Sequence, residues 1–365
     1  MSTESPGSLR SVQHEYTLNL ASILRDLPAS LLVSTYQAGK VVVVSDGLSD
    51  DGCDLSLSYH NFERAMGIAV APDRLAVGAR SVVWLLRDAP GVAPHLDPPG
   101  TRDACFLTRV ALYTGEVQGH ELAWAGDELW MVNTLFSCLC TLDDRHSFVP
   151  RWRPPFISAY EPEDRCHLNG LAMDGGAPRF VTAFGATDEA EGWRAGKATG
   201  GCLIDVASGA VAVSGLATPH SPRVHDGRVW LLDSGTGRLV LADLDRGAVE
   251  TVAELPGYAR GLAFADSVAF VGLSKIRGSS PLGGVPVAAR QERLKCGVAV
   301  VDVVSGRTIG LLEFQTGVEE IFDVQLVPGV RSPVLSGPHP DVDDQAPIWL
   351  APGRAAPAGG PDPAL

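Results

Sequence analysis

"HELAWAGDELWMVNTLFSCLCTL", residues 120–142, is a phrase of three short apolar strands: one leading to the Gly126-Asp127 turn, one ending at Asn133, and one after Ser137. Val, Leu, Ala and Trp with Gly and Asp at the breaks are the mark of brief strands joined by tight turns. The phrase recurs. "MGIAVAPDRLAVGARSVVWLL" begins at Met66, "NGLAMDGGAPRFVTAFG" at Asn169, "HSPRVHDGRVWLLDSGTGRLVLAD" at His220 and "RGLAFADSVAFVGLS" at Arg260, with a degenerate "EEIFDVQLVPG" at Glu319. A repeat of roughly 50 residues with almost no helical periodicity predicts an all-β, six-bladed propeller, each blade a four-stranded antiparallel sheet.

The last copy lacks outer strands, while "SLLVSTYQAGKVVVVSDG" (30–47) supplies strands with no inner one. The economical closure pairs the C-terminal strand near 320–327 with N-terminal strands 31–36 and 40–45, which leaves no open edge. The expected organisation is an N-terminal arm over 1–28, the propeller over 29–328, and a Pro/Gly/Ala-rich tail over 329–365 that is mostly mobile, with "PIWL" (347–350) docking locally. Two long insertions, 87–104 and 275–295, are where specificity is expected on a rigid ring.

Composition narrows the function. With 45% hydrophobic and 20% charged residues the chain can fill a large core, and a net charge of −14 argues against a nucleic-acid partner. No apolar run approaches a membrane span and the N-terminus lacks a leader pattern, so a cytoplasmic, monomeric protein is expected. Seven dispersed cysteines without CxxC spacing suggest neither a disulfide framework nor a thiolate zinc site; Cys138 and Cys140 read as small buried hydrophobes. "GWRAGKAT" (192–199) falls one residue short of a phosphate-binding loop, and no G-x-S-x-G is present.

In a propeller the residues that open each inner strand face the axis at one mouth. By that reasoning His120 with Glu121, His167 with Asn169, His220, Tyr258 with Arg260, and Glu319 with Glu320 converge there, beside Glu63 to Met66. Converging neutral imidazoles suit a divalent transition metal (Fe, Cu, Zn or Mn), so His120, His167 and His220 are the expected ligands. Glu121 or Glu320 would be a fourth ligand or general base, and Arg260 would either clamp a carboxylate or phosphate or balance Glu319 and Glu320 across the channel. His167 stands two residues off the shared register, and Asn169 is the alternative there. Two functions follow: a metal-dependent hydrolase or oxidoreductase acting on a small molecule or peptide at the axial mouth, or a noncatalytic propeller that binds a ligand or protein there. A metal-free lyase or isomerase, with His and Glu handling protons, is a third. Lys275 and Arg277 could reach over the mouth, and Asn133 and Asp233 are expected to serve turns.

The phrases "LLVSTYQAGKVVVV", "FERAMGIAV", "HELAW", "CHLNGLA", "ATPHSPR", "GYARGLAF" and "GLSKIR" together resemble a bacterial family of conserved hypothetical proteins defined as a domain of unknown function, over about 30–328. More loosely, the N-G-L-A and R-G-L-A openings are similar to those of strictosidine synthase and gluconolactonase-type six-bladed propellers. In the lactonase group a Glu, an Asn and an Asp hold a divalent cation near the axis. That resemblance implies a role for Asn169, but His220 stands where an Asp is expected and the Glu falls to either Glu63 or Glu121. A site richer in imidazole favours a softer metal than calcium.

Overall fold

A computed structural model describes residues 12–47, 54–276 and 283–351; Cys53, Arg277 and the end of the expected tail lie outside them. Six sheets form the predicted propeller. Its inner strands, in order around the axis, are Ile68–Ala71, Gly119–Ala125, Leu168–Asp174, Pro219–His225, Tyr258–Ala265 and Asp323–Pro328, which open blades I to VI.

Closure follows the sequence reading. Asp323–Pro328 runs antiparallel to Ala29–Thr35, with Ser34 opposite Asp323 and Ala29 opposite Pro328, and Lys40–Asp46 and Leu55–Asn61 complete blade VI. The first and last strands of the ring thus share a sheet. No helix among the described residues is long and apolar enough to cross a membrane.

Each pair of neighbouring blades encloses its own apolar core, which explains why many strands are apolar on both faces. The run Val41-Val42-Val43-Val44 shows it: Val41 and Val43 pack with Ile68, Leu75 and Phe106 of blade I, whereas Val42 and Val44 pack with Phe270, Val298 and Val300 of blade V. Alternate side chains of one strand therefore serve two cores. Cys138 and Cys140 lie in the core between blades I and II, as expected of small hydrophobes, and the six cysteines described are buried and unpaired by disulfide.

The flanking segments add edges to this ring. His14–Tyr16 is a fifth strand on blade V, antiparallel to Arg307–Phe314, and the helix Leu20–Asp26 packs Leu20 and Leu24 into the core between blades V and VI. After Pro328, Pro333–Ser336 pairs in parallel with Ala104–Tyr113 of blade I, and Asp343 accepts the Asn61 backbone N–H at 2.9 Å. The compositional signal of a tail missed these because an outer strand offers unpaired N–H and C=O groups to any short segment that reaches it. Of "PIWL", Ile348 packs against the 87–104 insertion while Trp349 is exposed.

Candidate functional site

Hydrogen bonds between neighbouring inner strands set a common register for the six blades at the mouth. In blades I, III and V the second position of the repeat is Gly67, Gly170 or Gly261, and a Cβ there would strike the next blade: His120 and Glu121 at Gly67, Ser221 and Pro222 at Gly170, Asp323 and Val324 at Gly261. Blades II, IV and VI carry a polar side chain at the matching place, and it reaches across to a backbone amide. Glu121 accepts from Leu171 N–H at 2.9 Å, Ser221 from Gly261 N–H at 3.0 Å, and Asp323 from Ile68 N–H at 2.9 Å. Glycine blades alternate with acceptor blades around the axis, a pseudo-threefold arrangement that lets the inner strands approach closely while their amides stay bonded.

One residue earlier in each blade lies the axial ring: Met66, His120, Asn169, His220, Arg260 and Phe322. These six positions come from the repeat itself. Met66, His120, His220, Arg260 and Phe322 help line a cavity of about 340 Å³ at the mouth. Asn169 sits just beneath, with its side chain held by His167 O at 3.1 Å and Thr182 Oγ1 at 2.7 Å.

His120 and His220 are built alike. Nδ1 of His120 lies 3.1 Å from Gln118 O and 2.6 Å from Thr134 Oγ1; Nδ1 of His220 lies 3.0 Å from Thr218 O and 3.0 Å from Ser234 Oγ. A backbone carbonyl can only accept, so Nδ1 carries the hydrogen in both rings. Burial, with Arg260 as the next cause, holds both imidazoles well below their ordinary pKa, so both are neutral near pH 7. Each Nε2 is then a bare lone pair, and neither has a hydrogen-bond partner among the described residues.

His167 enters the cavity by another route. It precedes its inner strand in a left-handed conformation (φ 50°), and its Nδ1 lies 2.8 Å from Oδ2 of Asp164. Asp164, itself at φ 47°, also accepts from Trp193 Nε1 at 3.2 Å. The ring is packed between Phe184 and Trp193, with centroids 4.3 and 4.5 Å away. His167 and His120 are in edge contact at 5.1 Å, but Phe184 stands between His167 and His220. The three expected ligands therefore share one cavity; among the described residues, no group of three His, Cys, Asp or Glu is disposed to hold an ion.

Arg260 lies flat over Phe322, its guanidinium carbon 3.5 Å from the ring centroid, and its side chain is only 12% exposed. Glu320 is 3.5 Å away as an ion-pair partner, and Lys275, whose N–H bonds Glu319 O, also lines the cavity. Arg260 makes no hydrogen bond to any described residue. Burial lowers its pKa, the cost expected of a guanidinium removed from water.

Glu121 faces the waist of the channel. It pairs with Arg223, which also donates to Leu262 O at 2.8 Å, and burial, opposed by Arg223, raises its carboxyl to about 7. Its observed work is to tie blades II and III to that arginine. Asn133 and Asp233 hold turns, accepting from Phe136 N–H at 3.1 Å and from Thr236 Oγ1 at 2.6 Å. Sequence reasoning missed Phe322, because the acidic pair two residues earlier was aligned with the axial position, and it missed Asp164, whose D-x-x-H spacing is visible but uninformative without the loop's geometry.

The family described as Domain of unknown function (DUF4915) matches residues 18–335, and the chain belongs to it. Among solved structures it is similar to a protein of unknown function from Bacteroides caccae, at 11% identity and a TM-score of 0.51, over 82% of this chain and 98% of that one. A chain of a nidogen/laminin complex is similar at 9% identity and a TM-score of 0.50, over 82% of this chain and 99% of the other. Likeness at these identities is one of fold. No curated protein matches the chain.

Proposed function

We propose that this DUF4915 propeller binds a small organic anion at its axial mouth, with Arg260 as the anion's partner. One observation carries the reading: a nearly buried guanidinium with five N–H donors makes no hydrogen bond to the described protein. Buried donors are ordinarily satisfied, and a carboxylate or phosphate meets a guanidinium in bidentate fashion. Aromatic walls from Tyr36, Phe184, Trp193 and Phe322 and a volume of about 340 Å³ suit a drug-sized or smaller molecule. Net charge opposes an anion's approach, so capture depends on the local cations of the mouth, Arg260 with Arg64, Arg80 and Lys275, set against Glu116 and Glu320. Titration calorimetry with benzoate tests it: Arg260→Gln is expected to weaken binding by about 100-fold, the effect of losing a charge-assisted pair. Equal affinity in the variant rejects the reading.

A second reading, the metal-dependent hydrolase or oxidoreductase, is favoured by the Nδ1 contacts. His120, His167 and His220 all spend Nδ1 on an oxygen acceptor, as metal-binding imidazoles commonly do. Its test is metal analysis of protein purified without a histidine tag. Stoichiometric Fe, Cu, Zn or Mn lost in a His120→Ala, His220→Ala double variant would support it, and absence of metal after repletion would dismiss it.

A further inference from the structure

The two axial imidazoles carry information about what the anion must look like. His120 and His220 occupy equivalent positions of blades II and IV, and each turns Nδ1–H toward a wall carbonyl two residues earlier in the chain. The same device in two blades fixes the same tautomer twice. Both rings line the cavity that Arg260 shares, so the site offers a set of cationic donors at one place and two acceptors at others. A plain aliphatic or aromatic acid would satisfy Arg260 and leave both Nε2 lone pairs without a donor.

We infer that the preferred ligand is a carboxylic acid carrying two hydroxyl or amino donors on an apolar, ring-sized body. The inference rests on the anion reading above and narrows it. The carboxylate meets Arg260, the apolar body lies against Phe184 and Phe322, and the donors reach Nε2 of His120 and His220. A cavity-facing imidazole nitrogen accepts readily from solvent, and a ligand without donors that displaces solvent gives nothing back. Selectivity therefore comes from rejection: a site built to accept hydrogen bonds discriminates strongly against an analogue that lacks them.

The test compares benzoate with 3,4- and 3,5-dihydroxybenzoate by titration calorimetry on the full chain at pH 7.5. At least one dihydroxy acid is expected to bind the wild type about 10-fold or more tightly than benzoate, the effect of one or more recovered hydrogen bonds. His120→Phe and His220→Phe are each expected to shrink that ratio. Should benzoate bind as tightly as both dihydroxy acids, the inference falls and the anion reading stands. If none of the three binds, or if Arg260→Gln binds benzoate as the wild type does, both fall. Nitrogen-15 spectra of labelled histidine supply a readout that needs neither ligand nor variant. Hydrogen on Nδ1 of residues 120 and 220 is expected, and hydrogen on Nε2 overturns the inference.

Discussion

Arg260 and Phe322 show how one pair of residues sets both the chemistry and the cost of the mouth. On the anion reading, a guanidinium stacked on a ring, with Glu320 3.5 Å away and no hydrogen bond to the described residues, serves a ligand at the expense of the unliganded fold. The double variant Arg260→Met, Glu320→Gln is therefore expected to raise the melting temperature while abolishing benzoate binding, since an apolar side chain of similar length keeps the Phe322 contact and neither charge of the pair is left behind. A lower melting temperature in that variant would show that the pair stabilises the fold. The imidazoles make a separate prediction. His60, which is buried beside Asp343 and Lys40, is depressed to about 4, chiefly by burial; His120 and His220 are depressed well below their ordinary value. Unfolded, all three take up a proton near pH 6.5, so below that these three sites hold more protons in the unfolded chain and their contribution to stability falls as pH drops. His60 alone removes about 1 kcal/mol by pH 5.5. Glu121, raised to about 7 by burial, acts in the opposite sense over the same window, so the test is comparative. By urea unfolding at pH 7.0 and 5.5, the change in stability on acidification is expected to be about 1 kcal/mol more favourable in His60→Phe than in the wild type, and an equal change would contradict the burial of that ring.

At the scale of the strand, the alternation of glycine and acceptor blades explains the "N-G-L-A" and "R-G-L-A" openings as steric necessities. Gly261 combines φ 82° with the backbone of Asp323 and Val324 close above it, whereas Gly175, in a turn, has open space around it. Gly261→Ala is expected to destabilise by about 2 kcal/mol or more, combining strain and a clash, and Gly175→Ala by about 1 kcal/mol, from strain alone. Comparable losses in the two variants would count against close approach of the inner strands. The same alternation marks how far the sequence could be read. His120 and His220 were legible because they begin a recognisable phrase and share its register. His167 was found by proximity in the chain, yet it reaches the cavity through the Asp164 loop, while Asn169 takes the repeat's own position. Blade VI was misaligned by two residues: Glu319 and Glu320 look like axial polar groups, but the hydrogen bond from Ile68 N–H to Asp323 fixes the register and brings Phe322 to the axis. A contact between residues 255 positions apart leaves no local trace in the chain.

For the whole molecule, closure is the feature that holds six sheets to one axis. Blade VI takes its inner strand from Asp323–Pro328 and its outer strands from the N-terminal end, so every axial distance depends on that junction. A chain ending at Gly337 keeps the junction and is expected to unfold cooperatively, although it loses the Asp343 contacts. One ending at Phe322 opens the ring and is expected to lose its sharp thermal transition. A sharp transition in the shorter chain would show that blades I to V stand without closure. The ring was the most legible part of the sequence because a period is repeated evidence; the flanking strands His14–Tyr16 and Pro333–Ser336, each a single short segment, were not. The claim on which function turns is that the axial cavity receives an anion at Arg260. A crystal structure grown with 4-bromobenzoate tests it most directly: the account predicts a bromine anomalous peak inside the cavity with the carboxylate on Arg260, and an ordered bromobenzoate elsewhere with only water at Arg260 would contradict it.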